Sequence, residues 1–384
     1  MRPLLAALTA LLALASVAGA HPGTREAQLD LAPPLIAPPL SAKGVEFVKN
    51  IPTQADTPGG RLHDGFFYLT TERDLVIYDV KDAANPVEVG RLLWGRNFET
   101  PYFPEEDVDT NGKILITSNK NAIEVYDVAD KRNPKLLSTL AGSPQHTISC
   151  VLDCTWAYGS AGSIVDLRDP AAPKLAGSWT SANRVTQTHD VTEVAPGMVL
   201  TASQPVHLLD ARDPAKPKSI ATRADAGHFQ HATLWPRKMA DRFALVGGEA
   251  SGPNCAMNQS ATFQTYDMRG FDETKQFKLA DRFRVLPGNV VDGRAPDSTY
   301  CVHWFDTHPS YKNGGLVAIS WYEHGTRLVD IDGEGKITEV GHVLSPGSSA
   351  SAAYWISKDI FYVADYNRGL DVFRYTGKQP GAKG

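Results

Sequence analysis

The sequence predicts an all-β fold, a seven-bladed β-propeller of four-stranded blades whose last blade is closed by an N-terminal strand. Two observations carry this reading. The stretch Leu75-Val76-Ile77-Tyr78-Asp79, followed by Asp82 and Asn85-Pro86, sets a pattern Asp-x-x-Asp-x-x-x-Pro that recurs at Asp127, Asp130 and Pro134, at Asp166, Asp169 and Pro173, and at Asp210, Asp213 and Pro217. Each copy ends an apolar, often β-branched run, and four short apolar runs in each unit of roughly 40 residues is the spacing of propeller blades. The composition agrees, since 32 glycines and 26 prolines in 384 residues suit short strands joined by turns, while helix signals are weak.

The chain begins Met1-Arg2-Pro3, continues with an apolar run over residues 4–17 and then reaches Ala18-Gly19-Ala20. A charged, an apolar and a small-residue region in this order predict a secretory signal peptide cleaved after Ala20, and with it a secreted, extracytoplasmic protein. The apolar run is too short for a convincing membrane span, and no later segment qualifies. Residues 21–42 form a leader rich in proline and alanine, residues 43–377 a single propeller domain, and residues 378–384 a tail.

The first unit places strands at residues 66–70, 75–80 and 87–92, and the second at 107–109, 114–117, 123–128 and 135–140. The third runs through 146–151, 155–159, 163–167 and 174–179, and the fourth through 189–194, 199–202, 206–211 and 218–222. The fifth keeps strands at 243–246 and 265–267 but carries an insertion over residues 249–262 between them. The sixth has strands at 316–321 and 326–331, with Asp330 at the repeat position. The seventh has strands at 353–356, 360–364 and 370–375, puts Arg374 where the repeat has Asp, and lacks a fourth strand. Residues 44–48 precede the first unit without a blade of their own, so they are expected to supply the missing outer strand and leave no gap in the ring. The repeated Asp and Pro are turn chemistry: Asp at a strand end accepts backbone N–H groups of the turn, and Pro fixes the entry to an outer strand.

The motif Leu75-Val76-Ile77-Tyr78-Asp79 with Asp82 and Asn85-Pro86 resembles the LVIVD repeat of secreted bacterial β-propellers, over nearly all of residues 43–375. That resemblance implies the propeller fold and brings no defined activity.

A formal net charge of -5 and a pI near 6.1 give no basic field for nucleic acid or an anionic membrane. A G-x-S-x-G elbow, an H-E-x-x-H pair, a P-loop and a dinucleotide fingerprint are all absent from the sequence. Export favours disulfides, and the tight turn between Cys150 and Cys154 pairs these two, leaving Cys255 with Cys301.

The functional signal is the residue that begins each unit. His146, His189, His231 and His303 share that position in units three to six, and unit two has Glu106-Asp107 there. First strands line a propeller's central channel, so these imidazoles are expected to converge on one face, where neutral imidazole is a ligand for zinc, copper or iron. The turns between second and third strands return to the same face. They bring Trp321, Tyr322, His324, Tyr366 and Arg368 as candidate ligand-binding residues.

Two functions follow. In the first, the exported propeller binds a ligand or partner protein on its channel face as a monomer, with the histidine ring as a polar floor. In the second, the four histidines hold a divalent transition metal and Glu106 or His324 serves as acid or base.

Overall fold

The computed structural model describes residues 39–53, 56–94, 104–119, 121–143, 145–180, 188–223, 229–251, 261–285 and 300–378. The side chains of residues 104–107, 250, 251, 300 and 301 lie outside that description. Its strands form successive antiparallel sheets, each with strands paired in chain order. The first holds Gly59–His63, Phe66–Thr70, Asp74–Asp79 and Val87–Leu93, and the second Pro104–Thr110, Ile114–Asn119, Ala122–Asp127 and Lys135–Ala141. The third holds Ile148–Val151, Trp156–Gly159, Ser163–Asp166 and Lys174–Ser178.

Next come Asp190–Ala195, Met198–Ala202, His207–Asp210 and Lys218–Arg223, then Ala232–Leu234, Phe243–Gly247, Phe263–Asp267 and Gln276–Phe283. A short parallel pairing of Thr222 with Gln276 and Arg223 with Phe277 joins the outer strands of these two groups. The following sheet holds Phe305–Thr307, Gly315–Ser320, Thr326–Ile331 and Ile337–Leu344, and the last holds Ala350–Trp355, Ile360–Asp365 and Gly369–Tyr375.

The expected N-terminal closure is present. Val45–Ile51 pairs antiparallel with Gly369–Tyr375 as the outer strand of the last sheet. The strand just before it was not foreseen: Ser41–Lys43 pairs with Ile337–Leu344 and gives the preceding sheet a fifth strand. Gly44, at φ +67°, makes the bend that lets one short segment serve two sheets.

Apolar side chains that alternate to the two faces of each strand meet those of the neighbouring sheet in separate clusters. Leu75, Ile77, Val108 and Leu115 fill the space between the first two sheets, and Val151, Tyr158, Val191 and Val199 that between the third and fourth. One cluster joins the chain ends, with Phe67, Leu69 and Val76 of the first sheet packed on Ala352, Tyr362 and Leu370 of the last. Tyr362 Oη donates to Ala83 O at 2.7 Å and Gly60 N to Tyr354 Oη at 2.8 Å across the same seam. The array therefore closes on itself, and the first strands of neighbouring sheets lie side by side around its axis.

The repeat motif folds as turn chemistry requires. Asp79, Asp127, Asp166, Asp210 and Asp267 each accept the backbone N–H two residues on, at 3.0 to 3.1 Å. Where that residue is arginine the guanidinium returns to the same carboxylate, as Arg212 does to Asp210, whose pKa it holds down at about 2. Arg374, which replaces the Asp in the last unit, turns instead to Asp359 at 2.8 Å. Cys150 and Cys154 form the disulfide expected across their turn. Cys255 lies outside the described residues, so the pairing with Cys301 rests on sequence; the backbone does set Ala250 opposite Cys301 in a two-stranded ribbon, Ala250–Ser251 with Tyr300–Cys301.

Closure depends on a close approach at Gly369, which has φ +87° and where a Cβ would sit 2.6 Å from Thr53 N and 2.7 Å from Ile51 O. Gly369→Ala should destabilise the protein by about 1–3 kcal/mol through backbone strain and displacement of the closing strand. The urea-unfolding midpoint reads this directly, and a midpoint equal to that of the wild type would contradict the assigned role.

Candidate metal centre on the channel face

The histidines gather because the repeat places them at one register. The backbone N–H groups of His189, His231 and His303 donate to Ala202 O, Gly247 O and Ser320 O, at 2.8, 2.7 and 2.9 Å, the last carbonyls of, or next to, each second strand. Successive imidazoles then meet around the axis. Ring centroids are 4.5 Å apart for His146 and His189, 3.8 Å for His189 and His231, and 4.1 Å for His231 and His303. His189, His231 and His303 are all at least nine-tenths buried.

Two of these rings have their tautomer settled by geometry. His189 Nδ1 lies 3.0 Å from His231 O and His303 Nδ1 lies 2.6 Å from Ser351 O. A carbonyl oxygen only accepts, so Nδ1 carries the proton and Nε2 is the lone-pair nitrogen in each ring. In both cases the carbonyl belongs to the next sheet around the ring, so the packing of neighbouring sheets orients the imidazole. Thr147 Oγ1 holds the His189 backbone in the same way, donating to its carbonyl at 2.6 Å.

Among the described residues, His189, His231 and Glu249 form a group whose donor atoms all lie within 4.8 Å of one another and which are all buried. Two imidazoles and a carboxylate at that separation can hold a transition-metal ion with modest adjustment. His146 flanks the group beyond His189, and His303 beyond His231. Glu249 was not anticipated from sequence as a ligand. The available signal was its place at the head of the fifth unit's insertion, two residues past Phe243–Gly247, the strand that ends on this face.

The surroundings are aromatic. Trp304 lies 5.0 Å from the His231 ring and just over 6 Å from those of His189 and His303. Tyr322 packs on His303 at 4.6 Å, lies parallel to Tyr366 at 6.1 Å, and donates its hydroxyl to Glu249 Oε1 at 2.8 Å.

The other sequence candidates are distributed differently. Tyr322 and Tyr366 border the histidines, whereas Trp321 is fully buried in the apolar cluster with Leu245, Phe263 and Val329 and packs edge-on against Phe283. Arg368 makes a two-pronged ion pair with Asp371, at 2.7 and 3.0 Å, inside the last sheet. His324 is buried beside Arg327, and burial together with that guanidinium pushes its pKa down to about 4. Glu106 belongs to Pro104–Thr110, and its side chain lies outside the described residues.

Neither a protein-family model nor a curated protein matches the chain. Among solved structures the chain is similar to Raptor from Chaetomium thermophilum, with a TM-score of 0.55 and 12% identity over 91% of this chain. The match spans only 30% of that longer protein. At this identity the likeness is one of fold, and it identifies the sheet array as β-propeller-like.

The depressed His324 pKa has a consequence for stability. Its folded value of about 4 lies below the ordinary 6.5, so between these values the unfolded chain binds more protons. Stability from this group is present above pH 6.5 and lost as pH falls toward 4. Asp306 and Asp365, each pushed up to about 6 by burial, act in the opposite sense, and their contribution is lost as pH rises through that value. The difference between wild type and His324→Gln isolates the histidine: chemical unfolding should show the wild type losing up to about 3 kcal/mol relative to the variant between pH 7 and pH 4. A constant difference across that range would show that His324 does not titrate in this way.

Proposed function

We propose that this protein is an exported, monomeric, seven-bladed propeller of the LVIVD-repeat kind that binds a divalent transition-metal ion, zinc, copper or iron, on its channel face. The ligands are His189, His231 and Glu249, and the face around the ion receives a further ligand or partner. The seven-blade count is supported by the order of sheets, with the two groups joined through Thr222 and Gln276 taken as separate blades.

One observation carries the metal reading. The His189 imidazole, a member of the group, gives its Nδ1 proton to a backbone carbonyl of the next sheet, as its neighbour His303 does. That is the support found behind metal-ligating histidines, where a hydrogen bond at one nitrogen fixes the ring and raises the basicity of the other. A structural histidine that merely capped a strand would not require a carboxylate to be brought against two imidazoles, those of His189 and His231, in a buried place. Two adjoining imidazoles and one carboxylate are buried together in a region of low dielectric, and a divalent cation offsets the charge of the carboxylate.

A second reading is a metal-dependent enzyme at the same place, with His324 as an acid or base candidate from the sequence, although burial and Arg327 lower its pKa to about 4 and so make it a weak base at pH 7. Glu106 is the other acid or base candidate from the sequence.

Metal analysis of the purified, mature protein tests the proposal. A stoichiometric ion is expected in the wild type and its loss in His231→Ala. Retention of the full complement of metal by His231→Ala, or its absence from wild type after incubation with zinc, copper and ferrous iron in turn, would overturn the reading.

A further inference from the structure

We infer that the centre is of the open kind, in which Tyr322 positions Glu249 as a ligand and the ion keeps a coordination place for a small monoanion. The inference rests on the preceding reading and adds the class of ligand that the ion receives.

The first support is the hydrogen bond. Tyr322 Oη donates to Glu249 Oε1 at 2.8 Å, and the two residues are 0% and 3% exposed. A phenol held on one carboxylate oxygen disfavours a carboxylate that chelates through both. Glu249 thereby contributes one oxygen rather than two.

The second support is how Tyr322 is held. Its φ is +47°, in the left-handed region that a bulky aromatic residue enters only under constraint from its surroundings. The constraint is visible: its backbone N–H and carbonyl both bond to Ala350 at 3.1 Å, and its ring is fixed between His303 and Tyr366. Gly325, at φ +72°, already supplies the conformational freedom of this turn. Tyr322 also closes this turn, its carbonyl accepting from Gly325 N at 2.9 Å, and the same left-handed backbone aims the phenol at Glu249.

The third support is the count of ligands and charge. The group offers three protein donors, two imidazole nitrogens and one carboxylate oxygen. Closed structural sites use four protein donors, whereas three leave a place for an exchangeable ligand. A divalent ion with one carboxylate and two neutral imidazoles retains a charge of about +1, and burial makes that charge costly unless an anion joins it. The remaining place thus selects hydroxide or another small monoanion over a neutral molecule. His303 and His146 stand beside the ion as neighbours in this arrangement.

The test uses the full mature chain loaded with cobalt(II), azide as the monoanion probe and visible absorption as the readout. Azide should change the cobalt spectrum saturably in the wild type. Tyr322→Phe, which keeps the ring and removes only the hydroxyl, should weaken cobalt affinity by about tenfold or more, with an unfolding midpoint that shows an intact fold. Glu249→Gln should lose the ion, and His303→Ala and His146→Ala should each retain it at full stoichiometry. An unaltered spectrum with azide, unchanged affinity in Tyr322→Phe, or loss of cobalt in His303→Ala overturns the open three-donor centre while leaving metal binding in place. Failure of the wild type to bind cobalt overturns the open centre, and failure to bind zinc, copper and ferrous iron as well overturns both readings.

Discussion

Ring closure by Val45–Ile51 is the constraint on which the rest of the structure depends. Each sheet has two apolar faces, and a sheet at the end of an open array would leave one of them in water. Pairing the N-terminal strand with Gly369–Tyr375 completes the last sheet, and the cluster of Phe67, Leu69, Tyr362 and Leu370 then covers the first. Burial of a large apolar side chain contributes about 1.5–3 kcal/mol, so the seam is stabilised by several such residues at once. The extra pairing of Ser41–Lys43 with the neighbouring sheet ties the same segment at a second place.

The histidine arc is a product of that closure. Two of its imidazoles are oriented by an atom on the next sheet, His189 by the carbonyl of His231 and His303 by that of Ser351. An isolated blade has no such partner, and its histidine would rotate freely in water. The centre is thus assembled by packing between sheets, and it inherits the rigidity of the ring. Glu249 and Tyr322 come from neighbouring sheets as well, and their hydrogen bond crosses the boundary between them.

The fold was legible in the sequence to the level of individual strands because its signals are local and repeated. Asp127, Asp166 and Asp210 recur with their apolar runs, and each closes its turn in the same way. Strand bounds were less legible, since the third unit's first strand is Ile148–Val151 where the pattern indicated 146–151. For the site, the shared register of His189, His231 and His303 could be counted along the chain. The roles of adjacent residues such as Trp321 and Tyr322 could not, because one enters the apolar cluster and the other turns to Glu249 through a left-handed backbone. Nor could the use of Arg368, which its near neighbour Asp371 engages.

By itself the sequence determined the all-β repeat, the turn chemistry and the place of a histidine at the head of successive units, since each follows from residue type and spacing within some 40 residues. Only the tertiary structure decided which groups share one site. The juxtaposition of His189 and His231 with Glu249, and the fixing of that carboxylate by Tyr322, depend on contacts between residues as far apart as 73 positions. No local pattern encodes such a meeting, because it is set by how closed sheets pack around a common axis.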